Sequence, residues 1–206
     1  MQTAKHRPFR FVAPAAVLCT ALAAGLPLPA QALTLHGVDI PPQVDVGGKT
    51  LVLNGAGTRH VFFFKVYTAA LYLPQKSTQP QGIFSMAGPK ELKLTMLRDV
   101  SGKELGDKLN EGIKNNLSPE EFSAFIPSLV QLSALFAQKS QVKTGETITI
   151  RDMPGKGSTI AIDGVASGGV FSDPQFFNSM LKIWLGKDPA EDSLKKALLG
   201  QSADGN

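Results

Sequence analysis

Cysteine is nearly absent from this chain: of 206 residues one is cysteine, Cys19. It falls in an N-terminal segment that reads as a leader, so the remainder has no disulfide and no thiol chemistry. Histidine is almost as scarce. Beyond the leader only His36 and His60 occur, and neither belongs to a metal-ligand spacing pattern, so neither a metal site nor a cofactor is expected. There is no G-x-S-x-G elbow, phosphate-binding glycine loop or EF-hand loop. Gly55-Ala56-Gly57 is too short for a phosphate loop and lacks the helix that should follow it. No repeat, low-complexity tract or long linker is present. A catalytic constellation is therefore not legible, and no catalytic residue is assigned.

An excess of charge is missing too. The chain has 21 basic and 17 acidic residues, but Lys5, Arg7 and Arg10 lie in the leader, leaving 18 against 17. The basic balance thus belongs largely to the leader and gives no argument for nucleic acid or an anionic membrane as partner. The leader itself has three parts: a basic start, an apolar run from Phe11 to about Leu26, and the small-x-small signal Ala30-Gln31-Ala32. That is the layout of a secretory signal peptide, expected to be cleaved after Ala32. Its apolar run contains Pro14 and falls short of the about 20 residues a membrane span needs. Cys19 follows Val17-Leu18 rather than the small residue of a lipoprotein site. The expected address is the periplasm or the exterior, with no stable membrane span once the leader is removed. The remaining residues, 33–206, suffice for one domain with a sizeable core.

What is present alternates between strand and helix signals. Gln43–Val46 and Thr50–Leu53 flank Gly47-Gly48 as a hairpin. Val61–Leu73 reads as one long strand rich in aromatic and β-branched residues, stopped by Pro74. A short helix is expected over Gln79–Met86, and Lys90–Arg98 alternates as a half-buried strand. Leu105, Leu109 and Ile113 recur every four residues behind Ser101, a helix N-cap. Ser118-Pro119-Glu120-Glu121 predicts a capping box, with Phe122, Phe125, Ile126, Leu129, Leu132, Leu135 and Phe136 facing inward and Pro127 kinking or dividing the helix. Glu146–Met153 and Ser158–Ile162 flank a turn, Asp163-Gly164 makes a second hairpin, and Val170-Phe171 continues the sheet. Two last helices are expected, from Asp173-Pro174 to Gly186 and over Pro189–Leu199. Residues 201–206 read as a disordered tail. Strands, helices, strands and helices in that order predict an α+β fold, an antiparallel sheet with helices on one face. A ligand cavity would lie between the two.

The stretch NGAGTRHVFFFKVYTAALYLP, residues 54–74, is the most informative. Arg59 offers a fork of donors suited to a carboxylate, and Tyr67 brings a hydroxyl into an apolar strand. Glycines 55 and 57 allow the backbone to bend or to approach a neighbour closely. On one straight strand Arg59 and Tyr67 would share a face but stand about 26 Å apart. They can meet one ligand only if the chain turns between them, for which Thr58-Arg59-His60 is the candidate place. Without such a turn Arg59 is a solvated strand end and Tyr67 a core residue.

That stretch, with TMLRDVSGKELGDKLNEGIKNN and FFNSMLKIWLGKDPAEDSLKKALLG, resembles the chalcone isomerase-like family over roughly residues 34–200. The resemblance implies an open-faced β-sandwich, a large antiparallel sheet with a layer of helices on one face. True chalcone isomerases close a flavanone ring by intramolecular oxa-Michael addition, using an Arg, a Thr, a Tyr and an Asn. Relatives without that activity bind fatty acids, an Arg and a Tyr holding the carboxylate. Carried over, the Arg is Arg59, the Thr position holds Tyr67, the Tyr position Leu105 and the Asn position Gly112. Losing one donor at a developing negative charge typically costs about 10²–10³ in rate. The resemblance therefore implies a non-catalytic, exported protein that binds a fatty acid or similar apolar carboxylate. Arg59 and Tyr67 would hold the headgroup, and Leu105, Leu109 and Gly112 would line the cleft. The alternative is an isomerase or intramolecular lyase with donors rebuilt from Tyr67, Thr68 and Asn110. A third reading, an envelope protein that binds a protein partner and no small ligand, would be favoured by Phe62–Phe64 filling the cleft and leaving no cavity beside Arg59.

Overall fold

The computed structural model describes residues 1–2 and 32–201. Residues 3–31 of the expected leader and 202–206 of the expected tail fall outside the described residues. Eleven strands run in chain order: β1 (Leu33–Leu35), β2 (Val38–Ile40), β3 (Gln43–Val46), β4 (Lys49–Val61), β5 (Phe64–Leu73), β6 (Lys90–Met96), β7 (Val100–Ser101), β8 (Gln141–Val142), β9 (Thr147–Met153), β10 (Gly157–Ile162) and β11 (Val165–Phe171). Five helices accompany them: α1 (Pro80–Phe84), α2 (Gly102–Asn116), α3 (Pro119–Ala137), α4 (Phe176–Leu185) and α5 (Asp192–Leu198). Seven strands form one antiparallel sheet in the order β11-β10-β9-β6-β5-β4-β3. The α+β, open-faced layout expected from the sequence is the one observed.

Alternation along β5 explains the two sides of the sheet. Ala69, Leu71 and Leu73 point into the main core with the helices, whereas Ala70 and Tyr72 point into a smaller core behind the sheet. Successive strand residues face opposite sides, so one strand serves both. The smaller core is closed by Ile40 and Val38 of the β1–β2 hairpin. Among the described residues, the strands, helices and both cores lie within residues 33–200.

Two helices, α2 and α3, start where local chemistry says they should, whereas α4 begins after Gln175 without a side-chain cap rather than at Asp173-Pro174. The Ser101 hydroxyl accepts from the Glu104 N–H at 3.1 Å. The Ser118 hydroxyl accepts from the Glu121 N–H at 3.2 Å, and the Glu121 carboxylate accepts in return from the Ser118 N–H at 3.0 Å. Each cap satisfies amides that the first helical turn leaves unpaired. Pro127 neither ends nor divides α3, which runs unbroken to Ala137. Phe125 on one side of it and Leu132 on the other are buried in the same core. Ile126, expected inside, is exposed, and Ser128 takes the buried position instead.

The largest departure lies at residues 61–64. The expected single strand Val61–Leu73 is broken: Val61 ends the first arm of a hairpin and pairs with Phe64, Phe62-Phe63 is a two-residue turn, and only Phe64–Leu73 forms the second arm. Phe62 has φ 55°, a conformation that such turns normally assign to glycine or asparagine. The turn carries none of the usual sequence signals, and its three phenylalanines read as strand interior. The chain thus does turn between Arg59 and Tyr67, but at the phenylalanines and not at Thr58–His60.

Candidate functional site

The hairpin sets Arg59 directly across from Tyr67. A register shift between Arg59 and His60 leaves Val66 without a partner on β4. Such a bulge re-aims the side chains beside it. Tyr67 shares the parity of Ala69 and Leu71, so it faces the helices. Thr68, its neighbour, has the opposite parity.

Below the helix layer lies a cavity of about 370 Å³, toward the lower end of the roughly 300–1,000 Å³ usual for small-molecule sites. Its floor includes Leu94, Ile148, Ile150 and Ile160 of the sheet. Leu105, Leu109 and Gly112 of α2 line it, as do Phe136 of α3 and Met180, Ile183 and Trp184 of α4. Arg59 and Tyr67 also line it. The structure therefore brings all five residues singled out in the sequence to one cavity. Exposed Glu104, Lys108, Glu111 and Asp188 border it as well, which marks the side open to solvent. Of the donors considered for a rebuilt catalytic set, only Tyr67 lines the cavity; Thr68 and Asn110 do not. The phenylalanines Phe62–Phe64 are exposed and leave the cavity unfilled.

The two polar groups differ in how they are held. The Tyr67 hydroxyl accepts from the Trp184 indole N–H at 2.9 Å. Its own proton has no acceptor among the described residues and remains available to a ligand. Burial pushes the phenol up to about 12, although the Trp184 hydrogen bond and nearby Arg59 act in the other direction. Tyr67 is therefore a neutral donor at any physiological pH.

Arg59 is engaged by a carboxylate of the protein itself. Its Nη1 lies 3.2 Å from Glu191 Oε2 and also donates to the His60 carbonyl. The same Glu191 oxygen accepts from the His60 backbone N–H at 2.6 Å, and its other oxygen accepts from the Ser193 hydroxyl. Burial alone would raise the Glu191 carboxyl. The His60 amide, the Ser193 hydroxyl and the Arg59 guanidinium outweigh that and hold it below the ordinary carboxylate range. A partly exposed pair of this kind contributes about 0–1 kcal/mol, so an incoming carboxylate can replace Glu191 on Arg59 at small cost.

Two glycines take on definite roles. A Cβ at Gly55 would stand 2.0 Å from the Ala197 carbonyl oxygen, and one at Gly112 would stand 2.8 Å from Ile183 Cγ2. Gly55 thus lets α5 lie on β4, and Gly112 lets α2 approach α4. A side chain at position 112, where the resemblance places the isomerase Asn, would have to displace Ile183.

Glu191 and Trp184 are the residues that sequence reasoning missed. Trp184 is visible as the inward tryptophan of an amphipathic helix, but its partner Tyr67 is 117 residues away. No local pattern marks Glu191, which is 132 residues from Arg59.

Comparison with curated proteins gives no match. Among solved structures, the chain is similar in fold to the Arabidopsis thaliana fatty-acid binding protein AtFAP1, with a TM-score of 0.64 and 16% identity over 82% of this chain and 96% of that one. The family model described as chalcone isomerase-like matches residues 32–200. With a match over most of its length, the chain belongs to the chalcone isomerase-like family.

Proposed function

We propose that this protein is an exported, non-catalytic binding protein for a fatty acid or similar apolar carboxylate. The observation that carries the reading is an apolar cavity that meets Arg59 and Tyr67 on one hairpin. The ligand carboxylate takes the place of Glu191 on Arg59 and accepts a hydrogen bond from the Tyr67 hydroxyl. A hydrogen bond to a charged group contributes about 1.5–3 kcal/mol, while each buried methylene contributes about 0.8 kcal/mol. Ten methylenes would therefore outweigh the headgroup. The cavity selects an alkyl chain, and Arg59 and Tyr67 orient it. The name of the similar AtFAP1 structure adds support for the ligand class. Export rests on the leader pattern of residues 1–32. The intramolecular lyase reading draws on Tyr67 alone among the three donors considered for it, and so has thinner support.

Lipid extraction and mass spectrometry of the purified protein test the reading, together with thermal shift on adding fatty acids of graded length. A co-purifying fatty acid, or a shift that grows with chain length, is expected. Absence of both would overturn it.

A further inference from the structure

The tip of the β4–β5 hairpin has no task inside the fold. Phe62, Phe63 and Phe64 are 93%, 81% and 51% exposed, and Val61 beside them is 40% exposed. Single exposed apolar residues are ordinary, but a contiguous patch marks an interaction surface. Phe62 makes this sharper. It holds a bulky side chain at φ 55°, where glycine or asparagine would fit without strain. No burial compensates for that choice, and uncompensated strain of this kind gathers at functional positions.

The surroundings of the tip indicate what covers it. The Arg98 guanidinium lies 5.7 Å from the centre of the Phe64 ring, and the Phe63 and Phe64 rings stand 4.2 Å apart. Lys65 follows the tip directly, with its Nζ 3.1 Å from His36 Nδ1 on the β1–β2 turn. His60 flanks the other arm. The carboxylates beside these groups are already engaged. Glu191 is held by Arg59 and the His60 amide, and Asp99 accepts from the Thr144 amide and hydroxyl, both at 2.8 Å. Although the chain as a whole is nearly balanced in charge, the tip is aromatic and flanked by two cations, Arg98 and Lys65. Aromatic side chains at the headgroup level, with Lys and Arg reaching lipid phosphates, are the means by which proteins rest on anionic bilayers. A second copy meeting tip to tip would bring like charges together, which disfavours that occupant.

We infer that the Phe62–Phe64 tip inserts shallowly into an anionic lipid surface. Val61 and Arg98 belong both to this region and to the cavity lining, so the docked tip stands beside one edge of the cavity, away from the Glu104, Glu111 and Asp188 side. Among the described residues no helix is long and apolar enough to cross a membrane; the contact is peripheral. The inference goes beyond the binding reading and holds whether or not the cavity takes a fatty acid.

Vesicle co-sedimentation tests it, using the full chain and the chain starting at Leu33, which retains every strand, helix and core described above. Vesicles of phosphatidylcholine with phosphatidylglycerol should bind the protein about tenfold better than phosphatidylcholine alone, and less so as salt rises. Phe62→Ser with Phe63→Ser should lower binding at least about tenfold. Thermal stability should not fall and fatty-acid affinity should not change, because neither residue lines the cavity. Lys65→Glu should weaken the preference for phosphatidylglycerol. Equal sedimentation of the double variant and the parent would overturn the inference, as would failure of the parent to bind either vesicle. A concentration-dependent dimer lost in the double variant, without vesicle binding, would assign the tip to a second copy instead.

Discussion

From Asn54 to Arg59, β4 is committed to α5, whereas from Val61 to Phe64 the same hairpin touches little of the protein. At the base, the Asn54 side chain donates to the Leu198 carbonyl at 2.7 Å and to the Ser77 carbonyl at 3.0 Å, and accepts from the Ser77 N–H at 2.7 Å. Gly55 and Gly57 give α5 its seat, and Arg59 and the His60 amide reach Glu191 just ahead of its first turn. At the tip, three phenylalanines face solvent. The contrast teaches that the glycine-rich part, whose glycines allow a close approach, is a packing surface for α5. The aromatic part, which looks like a core strand, is a surface feature. The candidate headgroup site lies between the two, opposite Tyr67.

Substitutions should separate base from tip. The largest effect is expected for Gly55→Ala, whose Cβ would meet the Ala197 and Leu198 carbonyl oxygens at 2.0 and 2.8 Å and the Gly200 N at 2.9 Å. All three are backbone atoms, so α5 itself must move, at a cost of about 3 kcal/mol in equilibrium denaturation. A variant as stable as the parent would show that α5 is not seated there.

The Glu191 latch predicts a pH dependence. Its carboxyl is held below the ordinary range in the folded protein, so its contribution is complete above the unfolded value, about 4.3. That contribution is lost as pH falls through the lower folded value. Glu191→Gln should remove this part of the acid dependence while leaving the neutral-pH melting temperature nearly unchanged, as expected for a partly exposed pair. Parallel stability–pH curves for parent and variant would break the assignment.

The effect at the tip should be well below that of Gly55→Ala and carry the opposite sign. Phe62→Asn should raise stability by about 0.5–1 kcal/mol, reflecting the several-fold preference of Asn for positive φ. Destabilisation in a denaturant titration would mean that Phe62 packs against something in the folded chain.

Local signals made much of the fold legible. The caps at Ser101 and Ser118, the stripe of Leu105, Leu109 and Ile113, and the turns at Gly47-Gly48 and Asp163-Gly164 depend on residues within a few positions of one another. The Phe62-Phe63 turn was not legible, because turn formation there overrides the conformational preference of the residues that form it. Ile126 was misplaced because α3 presents Ser128 to the core in its stead. At the site, the cavity residues were accessible through pattern and resemblance. Glu191 was not, because its pairing arises only when α5 folds back on β4.

The central claim, that Arg59 holds a ligand carboxylate in exchange for Glu191, is tested most directly by fatty-acid affinity in two variants measured side by side. Arg59→Ala should weaken binding about 10–100-fold, the equivalent of a charged hydrogen bond of about 1.5–3 kcal/mol. Glu191→Gln should strengthen binding, because it removes the competing charge from Arg59. Opposite signs are the predicted result. Equal weakening in both variants, or no change in either, would contradict the account and leave the Arg59–Glu191 pair a purely structural contact.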